Sequence, residues 1–381
     1  MNVKFLVLFF YIVFLNHGSS QDLNKAHAIN PQNFNPDTIA NRLERLNAKT
    51  PFELYFTPEV EKKIKSYLKN RVVFYKKNAD KINFYLPLFL EHLQNKNIPQ
   101  EIKYLPLIES ILDPTAVSKV GATGLWQLMF YTALENGLTI NSYVDQRMDP
   151  LKSTIAATNY LEKLYKIHSD WNLVLASYNA GPRTISKAIK RSGGHTNYWN
   201  LRPFLPSETA NYVPSFIATM YILEYAEEHG IDLSGERNSF VEIDTIMIKQ
   251  KIAFKHISKF LDFPEDSIKK LNPSYIHHIV PGKNKNSLVL PQKIVDKFIE
   301  FENEIYLFSK SEFNKREKPL PELYSINSKI IYKVNYGDFL GKIARKFGVK
   351  VSDIKRWNNL KNDNIKENQN LLVFPKIIPL N

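Results

Sequence analysis

At 381 residues the chain is long enough for more than one core, and 44% hydrophobic with 23% charged residues describes a folded protein, not a disordered one. A formal charge of +13 suits an acidic polymer (nucleic acid, anionic lipid or anionic cell-wall glycan) without choosing among them. The absence of cysteine excludes disulfides, thiolate metal sites and cysteine nucleophiles together.

The first element is an apolar run at residues 5–15, preceded by Lys4 and followed by Gly18-Ser19-Ser20. A membrane span needs about 20 apolar residues, so residues 1–20 read as a cleaved signal peptide and the protein is expected to be exported, to the periplasm or cell envelope. Residues 21–95 are expected to be a helical region: Ile39, Leu43 and Leu46, then Val60, Ile64, Tyr67 and Leu68, recur at helical spacing, and Thr57-Pro58 opens the second helix. Pro99-Gln100-Glu101 starts a helix that carries Glu109. Further helices are expected at 151–167, 172–178, 183–191 and 208–229, so that 96–230 forms an all-α domain.

Alternation at 240–248 then predicts a strand, followed by short helices at 253–261 and 264–271 and a strand at 287–290. Together they define a small module at 238–292. Residues 303–328, with Pro319 and Pro321, read as a linker. The same β-α-α-β order returns at 330–376. There Leu340, Ile343, Ala344 and Phe347 make a helical apolar face after the Tyr336-Gly337-Asp338 turn. The fold class is therefore mainly α, an all-α domain followed by small βααβ modules.

Chemistry concentrates at Glu109. This carboxylate ends the apolar stretch Tyr104-Leu105-Pro106-Leu107-Ile108 and faces a Gly-punctuated turn and an expected helix with Trp126, Gln127 and Met129. Desolvation disfavours a charged carboxyl group, so such a residue can stay protonated near neutral pH and act as an acid. Asp113 stands directly before Pro114, which points to a turn role, and Glu101 to an exposed first-turn position. The His277-His278 pair has no partner at ligand spacing, and no phosphate-binding loop or Ser-His-Asp motif is present. No metal or other cofactor is expected.

The stretch 109–129 resembles the first motifs of the soluble lytic transglycosylase family, whose fold is shared with goose-type lysozyme. Three further motifs follow in order: Tyr143-Val144-Asp145-Gln146-Arg147-Met148-Asp149-Pro150, then Ala176-Ser177-Tyr178-Asn179-Ala180-Gly181, then Glu208-Thr209-Ala210-Asn211-Tyr212-Val213-Pro214. The resemblance implies one catalytic acid, Glu109, that later turns base. The C6 hydroxyl of N-acetylmuramic acid, and not water, then attacks the anomeric carbon to leave a 1,6-anhydro end. Close intramolecular approach is what lets this route compete with bulk water.

The same resemblance places Ser118 against the cleaved bond or the N-acetyl group, and Gln127 and Met129 along the glycan groove. Tyr178 and Asn179 would face the sugar, Tyr212 would hydrogen-bond Glu109, and Glu208 would support the site. Read from the residues alone, Met129 is core packing, Asn179 with Gly181 a helix C-cap, Tyr212 a half-buried aromatic and Glu208 an ion pair or cap.

Residues 331–375 resemble a LysM domain, a small module that binds N-acetylglucosamine-containing glycans. The implied groove lies between Gly337, Asp338, Phe339 and Leu340 and the loop with Asn358 and Asn359, Phe339 replacing a common Thr or Ser. Residues 240–291 resemble a degenerate copy without the Gly-Asp turn. The expected partner is peptidoglycan glycan, not nucleic acid, with peripheral or no membrane association; oligomeric state is not set by the sequence. Two other readings stay open, a hydrolytic muramidase and a non-catalytic peptidoglycan-binding scaffold.

Overall fold

The structure is a computed structural model and describes residues 35–235, 242–282, 286–317 and 319–378. The expected signal peptide, and the start of the strand expected at 240, lie outside the described residues. Among those described, no helix is long and apolar enough to cross a membrane. The chain divides into two compact units, residues 1–130 with 157–237, and residues 131–156 with 238–381.

The first unit holds α1 (Pro36–Asn47), α2 (Pro58–Asn70), α3 (Val72–Lys77), α4 (Ala79–Gln94) and α5 (Leu105–Glu109). After α6 (Phe130–Glu135) and α7 (Pro150–His168), within which the division falls, come α8 (Trp171–Ala180), α9 (Pro182–Arg191), α10 (Tyr198–Leu201) and α11 (Ser207–Glu224). Helix α11 is the centre of this unit. It is buried on nearly every face from Thr209 to Leu223, as expected of a helix with no polar stripe. Helix α2 supplies one wall with Val60, Ile64, Tyr67 and Leu68, its start fixed by the Thr57 cap and Pro58. Helix α8 is capped by Asp170, whose carboxylate accepts from the Leu173 amide at 2.6 Å, and it ends at Gly181 with φ 81°. Pro182 then opens α9.

In the second unit β1 (Ile243–Ile248), β2 (Ile252–Ala253), α12 (Phe254–Leu261), α13 (Glu265–Leu271), β3 (Ile279–Val280) and β4 (Asn286–Pro291) form the first small module. Helices α14 (Gln292–Glu300) and α15 (Glu302–Asn314) follow it. The second module is β5 (Ile330–Lys333), α16 (Leu340–Phe347), α17 (Val351–Trp357) and β6 (Asn370–Val373). In each module the outer strands pair antiparallel, Ile243 with Pro291 in one and Ile330 with Val373 in the other.

One polar device is repeated in both. Asn358 donates to the Ile354 and Leu372 carbonyls at 2.9 and 2.8 Å and accepts from the Leu372 amide at 2.6 Å. Asn272 does the same with Ile268, Val289 and the Val289 amide, at 3.0, 2.7 and 2.7 Å. Each amide group therefore ties the end of the second helix to the returning strand, over a fully buried isoleucine.

One expectation about boundaries needs correction. Much of the stretch read as a linker is helix α15, because Ile305, Tyr306 and Ser309 bury against the first module. Residues 131–156, inside the expected all-α span, pack with the C-terminal unit. There Tyr143 and Val144 enter the first module's core, and the Ile276 amide donates to the Tyr143 carbonyl at 2.9 Å. The buried Asp145–Arg147 ion pair, at 2.7 Å, stiffens this inserted strand-like segment.

Replacing Asn358 by Ala leaves the Leu372 amide and the Ile354 and Leu372 carbonyls without this partner, a cost of about 2 kcal/mol. Native-state hydrogen exchange should show faster opening at Leu372 and unchanged protection at Val289.

Candidate active site

Glu109 is the last residue of α5, a single turn whose buried members are Leu105, Pro106 and Leu107. The chain then breaks sharply. Ile111 and Leu112 adopt φ of 61° and 54°, left-handed conformations that cost a β-branched and a bulky residue on the order of 1–2 kcal/mol each. The Leu112 amide still donates back to the Pro106 carbonyl at 3.3 Å. The break stops the helix at the carboxylate and turns the chain into a compact loop. Asp113 serves that loop as a turn cap, accepting from the Thr115 amide at 2.8 Å and the Thr115 hydroxyl at 2.7 Å.

Residues 120–129 are turns and not the helix expected, because Gly121, Gly124 and Gln127 have φ of 85°, 84° and 46°. The loop is fastened at both sides of the carboxylate. Ser110 donates to the Leu125 carbonyl at 2.8 Å, and Tyr178 of α8 donates to the Trp126 carbonyl at 2.6 Å. Trp126 is fully buried edge-on against Phe89, 5.1 Å between ring centroids, a packing role.

Helix α11 completes the site. The Tyr212 hydroxyl donates to Oε1 of Glu109. One turn earlier Glu208 accepts from the Asn179 side-chain amide at 3.3 Å, while Thr209 donates to Asn179 Oδ1 at 2.9 Å. Burial pushes the Glu109 carboxyl up to about 7; the Tyr212 hydrogen bond works against this, and the nearby Glu208 charge adds to it. Burial also raises Glu208, again opposed by its hydrogen bond from Asn179. The Tyr178 and Tyr212 hydroxyls are pushed well up, first by burial and then by the Glu109 charge, so both stay protonated donors.

The structure thus gathers Glu109, Tyr178, Asn179, Glu208 and Tyr212 into one electrostatic neighbourhood. It also changes what some of them do. Asn179 is a brace between Glu208 and Thr209, and the Tyr178 hydroxyl is committed to the loop. Ser118 and Gln127 sit on the fastened loop. The Ser118 hydroxyl accepts from the Ala122 amide at 2.9 Å, and the Gln127 amide group donates to the Ala116 and Gly124 carbonyls at 3.2 and 2.9 Å. Met129 is 46% exposed, which removes the core-packing reading. Two residues were missed by sequence reasoning: Thr209, and Tyr160, whose ring lies 5.6 Å from that of Tyr178. Tyr160 stands on the half-buried side of a regular helix, so nothing in its spacing set it apart.

In the second module Gly337 has φ 77° and Asp338 is tied down, accepting from the Tyr332 hydroxyl at 2.6 Å and the Asn335 amide at 3.0 Å. Phe339 and Asn359 are exposed, the latter at φ 53°. The Leu340 and Asn358 side chains do not line a groove. Leu340 is buried in the module core, and Asn358 is spent on the strand described above. Among the described residues no group of three or more His, Asp or Glu is placed to hold a metal.

Comparison with known proteins gives this geometry its context. The family described as Transglycosylase SLT domain matches residues 88–200, which contain Glu109 and Asn179. The family described as Lytic transglycosylase MltD, LysM-like domain, matches 242–307, and LysM domain matches 332–374. The chain thus carries an SLT transglycosylase domain followed by LysM-type domains. It is homologous to membrane-bound lytic murein transglycosylase D of Escherichia coli K12, 29% identical over 285 residues, which cover 74% of this chain and 61% of that protein. The chain therefore spans about three fifths of that relative's length. It is also 31% identical over 141 residues to the soluble lytic murein transglycosylase of the same organism, 35% of this chain and 22% of the relative. The crystal structure of the 70 kDa soluble lytic transglycosylase from E. coli aligns at a TM-score of 0.33 and 29% identity, covering 39% of this chain and 25% of that one.

The opposed effects on Glu109 predict two outcomes. Tyr212→Phe removes the donor that favours the ionised form, so the Glu109 titration seen by carbon-13 NMR should rise by about one pH unit. Glu109 ionises near 7 when folded but near the ordinary ~4.3 when unfolded, so its burial costs nothing below pH 4 and its full amount above pH 7. Glu109→Gln should therefore raise the unfolding free energy obtained from urea titration at pH 8 more than at pH 4, by up to about 3.5 kcal/mol.

Proposed function

We propose that this protein is a peptidoglycan lytic transglycosylase. It would cleave the β-1,4 bond between N-acetylmuramic acid and N-acetylglucosamine without water and leave 1,6-anhydro ends, with the LysM-type modules holding the glycan. The single observation that carries this is a buried, neutral-range carboxyl group at Glu109, oriented by Tyr212, within an SLT domain.

In the first step Glu109, protonated near neutrality, gives its proton to the glycosidic oxygen as the C1–O bond breaks. Tyr212 engages Oε1, which leaves Oε2 as the oxygen that presents the proton. The muramyl C6 oxygen then bonds to C1, and its proton passes to the Glu109 carboxylate, restoring the acid. Atoms balance with no water consumed. Tyr212 steadies the carboxylate between the two steps, and the loop held by Ser110 and Tyr178 keeps its position.

Ser118, Gln127 and Met129 are proposed to line the approach of the strand, with Asn179 orienting Glu208. The exposed Gly337, Phe339 and Asn359 are proposed as the glycan-facing part of the second module. Its substrate places the protein in the cell envelope, which agrees with the membrane-bound lytic murein relative. The half-buried Glu208 keeps a hydrolytic reading in view, since a second carboxylate could activate water.

Mass spectrometry of digested sacculi decides between them: anhydro-muramyl ends are expected, and reducing ends in their place would establish hydrolysis. Glu109→Gln should lower the rate at least ~10³-fold. The rate of the unaltered chain should fall as pH rises through about 7, where the acid loses its proton.

A further inference from the structure

We propose that the second module carries an aromatic and cationic platform, Phe339 with Arg345, that selects amino-sugar polymers bearing a carboxylate over neutral ones. This rests on the reading that the module binds glycan. The loop ahead of α16 exposes two large aromatic side chains, Tyr336 at 87% and Phe339 at 53%. Leaving such surface in water is unfavourable unless something covers it, and a sugar ring is an apolar-faced partner of the right size.

Phe339 is also held in place. A Cβ built at Gly341 would lie 3.1 and 3.3 Å from two of its ring carbons. Gly341 has no positive φ, so it is room for the ring that the glycine supplies, at a helix cost of about 1 kcal/mol relative to alanine. One turn on, the Arg345 guanidinium carbon lies 5.9 Å from the Phe339 centroid. Arg345 is exposed and pairs with no carboxylate among the described residues, whereas its neighbour Lys342 is bound to Asp338 at 3.0 Å. The ring and an uncommitted cation therefore sit side by side.

The surroundings reinforce the charge. Residues 329–378 hold eleven Lys and Arg against four Asp and Glu, a net +7 out of the chain's +13. Residues 242–300 of the first module, a longer stretch, carry ten against seven. A neutral N-acetylglucosamine polymer offers Arg345 only uncharged acceptors, which make weaker hydrogen bonds. A muramyl residue offers a charged one: its lactyl group, on the ring itself, ends in a carboxylate when bare, and in a peptide with its own carboxylates when substituted. Both sources present a carboxylate beside a stacked ring, and a guanidinium pairs with it in two parallel hydrogen bonds.

The test uses the full chain with Glu109→Gln to stop turnover, and three probes: intact sacculi, sacculi stripped of stem peptides by an amidase, and chitohexaose. Arg345→Gln should weaken binding to at least one sacculus preparation about tenfold and leave chitohexaose unchanged. Loss on intact sacculi alone assigns the stem peptide, and loss on stripped sacculi alone the lactyl group. Phe339→Thr should weaken all three about fivefold, and Phe339→Tyr should restore them. Because Phe339 is exposed, these variants are expected to fold. Equal loss on chitohexaose and sacculi with Arg345→Gln, or no loss anywhere with Phe339→Thr, overturns the proposal. The amide resonances of Gly337 and Leu340 separate the two levels of failure. If they move with chitohexaose, glycan binding by the module stands and only the carboxylate selection is lost; if they move with none of the probes, both fall.

Discussion

The structure depends on keeping one carboxylic acid out of water, able to give up its proton near neutrality but not to drift. Three backbone events converge on that requirement. Helix α5 is only one turn long, its successors Ile111 and Leu112 take left-handed conformations that no glycine eases, and the loop beyond is fastened through Ser110 and Tyr178. Strain of this size persists only where surrounding packing over-determines it. Here the packing comes from buried Leu107, Leu112, Leu125 and Trp126. A longer, relaxed helix would have carried Glu109 on an ordinary turn, free to seek solvent.

Helix α11 answers the electrostatic half of the problem. It is buried almost throughout, yet it sends Glu208, Thr209 and Tyr212 to the same neighbourhood. The Tyr212 donor favours the charged form of Glu109 while burial and the Glu208 charge favour the neutral form, and the balance falls near neutrality. Either influence alone would leave a group unsuited to proton transfer at neutral pH. The first would make a strong acid that has already lost its proton, and the second an inert buried carboxyl group that never gives it up. Asn179 matters through this balance, because it holds Glu208 at a fixed place beside the acid.

Much of this was legible in the sequence, for physical reasons that differ by element. The helices α2, α8 and α9 announce themselves through helical periodicity and local stops and starts, Thr57-Pro58 and Gly181-Pro182, while the Asp170 cap of α8 emerges only in the structure. Glu109 stood out because an isolated carboxylate after an apolar run needs an explanation. What stayed hidden depends on distant chain. The turns at 120–129 hang on Ser110 and Tyr178, and the residues around Val144 pair with Tyr275, across an interval that no local pattern spans. The side-chain bonds of Asn179 and Asn358 stayed hidden for a related reason: a motif states which residue is present, not which neighbour has already taken its hydrogen bonds.

The two βααβ modules show how one scaffold can keep its frame and change its surface. Asn272 and Asn358 hold equivalent joints with nearly the same distances, so the frame is common. The loop before the first helix is not. In the second module it is the exposed turn at Gly337 and Phe339. In the first, the same stretch becomes β2, paired to β3, with the Phe254 amide donating to the His278 carbonyl at 2.8 Å. Helix α15 then covers it: the Lys249 amide donates to the Tyr306 hydroxyl at 2.9 Å, and the Lys251 ammonium lies 5.1 Å from the Phe313 ring centroid. The Lys249 and Phe254 amides of that stretch are thus already bonded within the protein's own chain. A segment that looked like a spacer is thus the cover of the first module's loop, while the second module keeps its loop open.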